Sequence, residues 1–204
     1  MIRHYMVLTL LAAGAFAHSL QNSSAAPDDN SGPTHEINFG DPPPVKRGDE
    51  HKILRTMAGV FDTKVKIYAD QNAVPLESSG VLTRKMILKG NFLQERYEGK
   101  ISDNAFSGLG FIGYDQAKKK FVVTWMDSMS TRTYIMEGTY DTEKKSITTF
   151  GTDFDPTSGK AVKARDVLKI ISPTEQVLEM YRQAEGASEI KIMEFRYTRK
   201  DDSK

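Results

Sequence analysis

The chain has 204 residues, 28 of them Lys or Arg and 27 Asp or Glu, so its formal net charge is +1 at pH 7. A nearly balanced charge argues against nucleic acid or an anionic membrane surface as the main partner. The sequence contains no cysteine, which excludes disulfides, thiolate nucleophiles, cysteine-based metal sites and a lipidated N-terminal cysteine.

The first residues have the pattern of a secretory signal peptide. Arg3 and His4 form a short basic lead, an uncharged apolar run follows over residues 6–17, and Ala15-Phe16-Ala17 is an A-x-A cleavage pattern. The run is shorter than the roughly 20 residues that a membrane-spanning helix needs. We therefore predict that residues 1–17 are a signal peptide, that no segment spans a membrane, and that the protein is exported to the periplasm or the extracellular space.

Residues 18–48 are predicted to form a disordered linker. This segment holds five of the eight prolines and few large apolar residues, so it buries too little surface to offset the entropy of ordering. The folded domain is then expected over residues 49–200. That length suffices for one ordinary hydrophobic core.

The domain is predicted to open with one short helix. Asp49 is the candidate N-cap, and Ile53, Leu54 and Met57 share one face of the helix. Gly59 follows as the residue that ends it.

Ten β-strands are predicted after the helix, because apolar residues alternate with polar ones between Gly- and Asp-rich turns. Short, evenly spaced strands with tight turns are typical of an up-and-down barrel, whose closure also removes exposed edges. The predicted fold is therefore an all-β, up-and-down antiparallel barrel of about ten strands, with a two-sheet sandwich as the alternative. The predicted strands are residues 60–68, 80–88, 91–99, 105–114, 120–127, 132–140, 146–153, 162–171, 175–183 and 189–199.

The start of the first strand resembles a known barrel motif. Ala58-Gly59-Val60-Phe61 is similar to the Gly-x-Trp opening of lipocalin-like (calycin) barrels, with Phe61 at the Trp position. The resemblance implies that this ring packs under a basic residue of the last strand. Arg196 and Arg199 are the two candidates for that structural role, and Gly59 is the matching glycine.

A second resemblance covers roughly residues 50–199. The chain resembles the bacterial domain-of-unknown-function family number 1579, which implies a lipocalin-like fold and carries no established activity. The matching segments are His51-Lys52-Ile53-Leu54, Gly108-Leu109-Gly110, Gly113-Tyr114-Asp115, Trp125-Met126-Asp127-Ser128-Met129 and Gly138-Thr139-Tyr140-Asp141.

The histidines exclude several kinds of site. They stand at positions 4, 18, 35 and 51, outside every predicted strand. A zinc site of clustered imidazoles inside the barrel is therefore excluded, and a Ser-His-Asp triad would have only His51 to use. We expect no metal and no cofactor. Residues 108–113 spell G-x-G-x-x-G, but a predicted strand rather than a helix follows, so we interpret the glycines as room for close backbone packing.

Polar residues on inward-facing positions are the main functional candidates. Arg84 shares a strand face with Met86, and Glu95 shares one with Leu93. If these faces line the barrel, Arg84 and Glu95 need each other or a ligand, because an unpaired buried charge is costly; otherwise they are ordinary outward-facing charges. In the first case Arg84 would hold a carboxylate while apolar side chains surround a tail. The predicted ligand-binding residues are Arg84, Met86, Leu93, Glu95, Phe111, Tyr114, Trp125, Asp127 and Arg132.

Three functions from different classes fit this pattern. The sequence favours a binding protein for a small, partly apolar ligand such as a fatty acid or another amphiphile. The second is a small hydrolase or isomerase with a carboxylate pair at the barrel mouth, drawn from Glu95, Glu98, Asp115 and Asp127. The third is a structural or interaction protein whose barrel is filled by its own side chains.

Overall fold

The computed structural model describes residues 46–69, 73–101 and 103–200. The predicted signal peptide, residues 1–17, and all but the last three residues of the predicted linker, residues 18–48, lie outside the described residues, so both stay predictions. Within the described part, no helix has the length and apolarity to cross a membrane.

The domain opens with one short helix, α1, at Asp49–Thr56. Gly48 occupies the N-cap position without a side-chain hydrogen bond. Asp49 lies inside the first turn, where its carboxylate pairs with Lys52 at 2.7 Å, so the expected capping role of Asp49 is wrong. Leu54 and Met57 are fully buried and anchor the helix to the core.

Ten strands of the described residues form one closed barrel in which sequential strands pair antiparallel and β10 returns to β1. This confirms the predicted lipocalin-like up-and-down barrel over the two-sheet sandwich. The strands are β1 (Gly59–Ile67), β2 (Leu76–Ile87), β3 (Phe92–Ile101), β4 (Asn104–Asp115), β5 (Lys120–Asp127), β6 (Tyr134–Asp141), β7 (Ser146–Phe154), β8 (Ala161–Ile170), β9 (Glu175–Gln183) and β10 (Ile190–Arg199).

Two strand starts differ from the prediction by more than one residue. β2 begins at Leu76, four residues early, because Ser78 and Gly80 pair with β1 although their composition is typical of a turn. β6 begins at Tyr134, so Arg132 lies in the preceding loop rather than in the strand. The pairing partner therefore overrides local propensity at both places.

Two of the tight turns depend on an aspartate. Asp115 and Asp141 each accept two backbone N–H groups from the turn that follows them. Lys119 and Lys145 then adopt left-handed φ values of 53° and 48°. This chemistry reverses the chain between β4 and β5 and between β6 and β7.

The core lies at one end of the barrel, beneath α1. Leu54 and Met57 of the helix pack with Phe61, Leu93 and Phe121 of the strands, and all five are at most 1% exposed. We call this the helix-closed end. The far end is the opposite one, where β7 and β9 finish and β10 begins.

Arg199 covers the ring of Phe61 at the helix-closed end, with its guanidinium carbon 4.8 Å from the ring centroid. The same guanidinium donates to the carbonyl of Ala58 at 2.8 Å. Gly59 has φ 147° and leaves the space that this side chain occupies. Arg196 instead pairs with Glu175 and is exposed.

Candidate functional site

A buried ion pair lies inside the barrel near the helix-closed end. Arg84 Nε donates to Glu95 Oε1 at 2.6 Å, and Arg84 Nη1 donates to Gln176 Oε1. Arg84 is 3% exposed and Glu95 7%, and the guanidinium carbon lies 4.9 Å from the ring centroid of Tyr197. The sequence left open whether Arg84 and Glu95 face the inside of the barrel or the solvent, and in the structure both face the inside. Glu95 and Gln176 already bind the guanidinium of Arg84. This corrects the expectation that Arg84 holds the carboxylate of a ligand.

Trp125 lies on the inner face of β5, against the glycines of β4. A Cβ on Gly110 would stand 2.8 Å from Trp125 Cε3, and one on Gly108 would also meet the ring. The indole N–H donates to Asp127 Oδ2 at 3.3 Å, and Asp127 Oδ1 accepts the N–H of Met129 at 3.0 Å. The glycines of the G-x-G-x-x-G stretch therefore make room for an aromatic ring within a continuous strand.

Phe111 and Arg132 do not lie with the other predicted ligand-binding residues. Gly110 faces the inside of the barrel, where a Cβ would stand 3.4 Å from Glu95 Oε2, so Phe111 lies on the outer face by strand alternation. Arg132 is exposed in the loop before β6, where its guanidinium carbon is 5.0 Å from the ring centroid of Phe154. The expectation that these two line the cavity is wrong.

The remaining predicted residues lie on the inner face. Met86 and Leu93 are cross-strand partners in β2 and β3, and Leu93 is fully buried. Tyr114 stacks edge-on against Phe121 with ring centroids 5.1 Å apart. All three belong to or pack against the core of the helix-closed end.

A row of polar side chains crosses the inner wall, and the sequence did not indicate it. Gln176 pairs with Tyr197, and Tyr197 pairs with Thr63 of β1. Thr63 in turn pairs with Gly80, over which the hydroxyl of Tyr97 lies. We call Gln176, Tyr197, Thr63 and Tyr97 the polar row. Its members come from four strands that only barrel closure brings together.

The polar row holds three polar atoms that no described residue satisfies. These atoms are Thr63 Oγ1, Tyr97 Oη and Gln176 Nε2, and each belongs to a residue at most 3% exposed. An unpaired buried polar group costs about 1–3 kcal/mol. Burial also raises the pKa of the Tyr97 phenol, which keeps it protonated. Such atoms mark a place where a bound molecule would be stabilised.

Beyond the polar row the inner wall is apolar, and several of its side chains are only partly buried. Leu178 pairs with Phe195, and Met180 pairs with Met193. These side chains face the inside of the barrel, yet each stays half-buried, as does Trp125. We call Trp125, Leu178, Met180, Met193 and Phe195 the open wall. It contrasts with the helix-closed end, whose core side chains are almost completely buried.

A second ion cluster lies inside the barrel at the far end. Arg182 Nε donates to Asp153 Oδ2 at 2.7 Å, and Arg182 Nη1 donates to Asp166 Oδ1 at 2.8 Å. Burial raises the pKa of Asp166, and the Arg182 charge offsets part of that effect. We call these three residues the far-end cluster. Its members come from three predicted strands whose pairing register the sequence does not reveal, so the cluster was not predicted.

The four carboxylates considered for catalysis are not gathered in one cleft. Glu95 is held by Arg84 inside the barrel, whereas Glu98 pairs with Arg96 on an exposed surface at 2.8 Å. Asp115 caps the turn after β4. The part of the chain that the structure describes contains no group of three or more His, Cys, Asp or Glu placed to hold a metal ion.

A surface groove of about 300 Å³ reaches the barrel wall near the end of β5. Ser107, Asp127 and Ser128 are among the residues that line it, and the Ser128 hydroxyl accepts the N–H of Ser107 at 3.1 Å. The groove also touches Tyr97 of the polar row. It is therefore a candidate path from the surface toward the inside.

Comparison with known proteins adds the family and the fold. The model of the family described as "Protein of unknown function (DUF1579)" matches residues 46–199, in agreement with the resemblance of the sequence motifs. No curated protein matches the chain. Among solved structures, an S-type phycobiliprotein lyase, CPES, from Guillardia theta is 9% identical with a TM-score of 0.54, covering 76% of this chain and 94% of its own. Rv2717c from M. tuberculosis is 14% identical with a TM-score of 0.54, covering 76% of this chain and 100% of its own. At these identities the likeness shows the fold alone.

Proposed function

We propose that this chain, which belongs to the DUF1579 family of proteins of unknown function, binds one small, partly apolar molecule inside its barrel. The observation that carries the proposal is the open wall, whose side chains face inward and stay half-buried. The diameter of a barrel grows with strand number, and eight strands already suffice to hold one small ligand. With one end of the barrel packed, we propose that this space lies toward the far end, along the open wall.

The chemistry of the inner wall agrees with an amphiphilic ligand. Met180 and Met193 supply flexible apolar surface that adapts to irregular shapes, and Trp125 adds a large ring beside them. The polar row and the far-end cluster lie at opposite ends of this apolar stretch. Ligand sites commonly combine a mostly apolar lining with a few fixed polar groups.

We further propose that binding takes place outside the cytoplasm. The proposal rests on the signal-peptide pattern of residues 1–17. Mass spectrometry of the N-terminus of the protein from its own host tests this proposal. A mature chain that begins at or near His18 is expected, and a chain that retains Met1 would contradict export.

Native mass spectrometry of the protein purified from its own host tests the binding function. We expect an added mass that is lost on denaturation. The only tryptophan in the chain is Trp125, so its fluorescence should also change when the extracted molecule is added back. Met180→Trp places a large ring at the open wall and should abolish binding of the extracted molecule, measured by calorimetry. Met129→Trp, at a residue that is 62% exposed, should leave this binding unchanged. Equal binding by both variants would contradict a site inside the barrel.

A further inference from the structure

We infer that the polar row is the head-group subsite of the barrel, and that it takes an uncharged group rich in oxygen atoms, such as the glycerol ester of a monoacylglycerol. This inference rests on the proposed function and specifies the class of ligand. It differs from the sequence-based expectation of a carboxylate held by Arg84.

The unpaired atoms of the row define what the head group must offer. Gln176 Nε2 is only a donor, whereas the hydroxyls of Thr63 and Tyr97 donate or accept, and none of the three has a partner among the described residues. A carbonyl or hydroxyl oxygen satisfies the amide donor. Adjacent hydroxyl groups of the same ligand satisfy the other two.

The three atoms are close enough to act on one head group. The Tyr97 hydroxyl occupies the place of a side chain at Gly80, whose cross-strand partner is Thr63. The Cβ positions of such partners are about 4.5–5.5 Å apart. Gln176 lies two strands from Thr63, which corresponds to roughly 10 Å at ordinary strand spacing. Glycerol alone is shorter than this, so the ester carbonyl is expected to reach Gln176 while the hydroxyl groups reach Thr63 and Tyr97.

The charges around the row favour a neutral ligand. Arg84 is the cation beside the row, and Glu95 neutralises it at 2.6 Å. The phenol of Tyr97 stays protonated, because burial raises its pKa. An ionised carboxylate or ammonium group would therefore lose its hydration without gaining an opposite charge.

The open wall indicates that the apolar tail of the ligand runs from the polar row toward the far end. Along β9 the inner positions run from Gln176 through Leu178 and Met180 to Arg182, and six residues of strand span about 20 Å. Phe195 is the member of the open wall next to the row, since its ring centroid is 6.3 Å from that of Tyr97 and 6.1 Å from that of Tyr197. A head group at the row would require this ring to turn aside, and the tail would then lie along the open wall.

Calorimetric titration of the whole protein with three probes that share one alkyl chain tests the inference. The probes are monolaurin, sodium laurate and dodecylamine, at about pH 8, where a carboxylic acid is ionised and an alkylamine carries its proton. Monolaurin is expected to bind at least tenfold more tightly than either charged probe. Thr63→Val and Tyr97→Phe should each weaken monolaurin about five- to tenfold, the loss expected for one hydrogen bond.

Matched variants separate a role in binding from a role in folding. Thr148→Val, at a β7 position on the outer face, and Tyr140→Phe, on the inner face outside the row, should keep the affinity for monolaurin. Thr63→Val and Tyr97→Phe should fold at least as stably as the parent, because they remove unpaired buried groups. If one of the two fails to fold, the other still reports on the row.

The outcomes distinguish the two proposals. If laurate or dodecylamine binds as tightly as monolaurin, or if the row variants keep full affinity, the head-group assignment is overturned. Barrel binding then still stands, provided that Met180→Trp abolishes it. If none of the probes binds, the head-group assignment is overturned, and the proposed function is then decided by native mass spectrometry of the protein from its host.

Discussion

Arg84 and Glu95 are buried charges that each need the other as a counter-ion. Each is costly inside the barrel alone, and together they satisfy each other at 2.6 Å. Breaking a buried pair leaves an uncompensated charge, which costs about 3–5 kcal/mol. Relative to two well-packed apolar residues of similar size, the intact pair adds little net stability.

Glu95→Gln should lower the free energy of unfolding by about 3–5 kcal/mol, because it leaves the Arg84 charge without its counter-ion. The measurement is the midpoint of urea unfolding followed by circular dichroism. Glu98→Gln is the matched control, since its pair with Arg96 is exposed and such pairs contribute less than about 1 kcal/mol. Equal losses in the two variants would show that the buried pair has no special role.

Individual residues also show where prediction from sequence fails. Phe111 is large and apolar, and its neighbour Gly110 has no side chain, so hydrophobicity places Phe111 inside the barrel. The structure has the reverse arrangement, because Gly110 makes room for Trp125 and Glu95 on the inner face. Which face of a strand is buried depends on its neighbours, and those come from distant parts of the chain.

At the scale of elements, the helix and the strands were more predictable than the site. Alternation located all ten strands within a few residues, since it depends only on local sequence. The polar row depends instead on the register of β1, β2, β3, β9 and β10. A slip of one residue in β1, β3 or β9 would turn Thr63, Tyr97 or Gln176, respectively, to the outside. Local patterns carry no information about that register.

Helix α1 is expected to make the stability of the domain depend on pH. His51 is 4% exposed in the helix and meets Tyr114 edge-on, with ring centroids 6.4 Å apart. Burial lowers the pKa of His51, Arg47 and Arg55 lower it further, and Glu50 raises it. The neutral imidazole is therefore the form that the fold favours.

Because the folded pKa of His51 lies below the unfolded value of about 6.5, its contribution is fully present above that pH. It is lost as the pH falls through the folded pKa, where the unfolded chain binds more protons. Urea midpoints measured between neutral and mildly acidic pH should decrease accordingly. His51→Phe keeps a ring against Tyr114 and should flatten this part of the profile. An unchanged slope in the variant would assign the pH dependence to another group.

At the scale of the whole molecule, closure makes every strand a central strand. β10 completes the barrel by pairing with both β9 and β1, so it has no free edge at which a proline is tolerated. Side chains from most of the strands meet in one core. A local defect in β10 should therefore weaken the entire domain rather than fray one strand.

Thr198→Pro tests this coupling. Thr198 is exposed on β10 and pairs with Asp62 and Glu175, so the substitution changes the backbone while touching no core side chain. We expect the free energy of unfolding to fall by roughly 3 kcal/mol or more, and Thr198→Val, which keeps the N–H, should be close to neutral.

Trp125 lies in β5, on the other side of the barrel from the β1–β10 pair. Its fluorescence and the circular dichroism should shift together to lower urea, as expected for two-state unfolding. If the Trp125 transition stayed in place while the circular dichroism signal moved, β10 would unfold on its own, and the barrel would not be one cooperative unit.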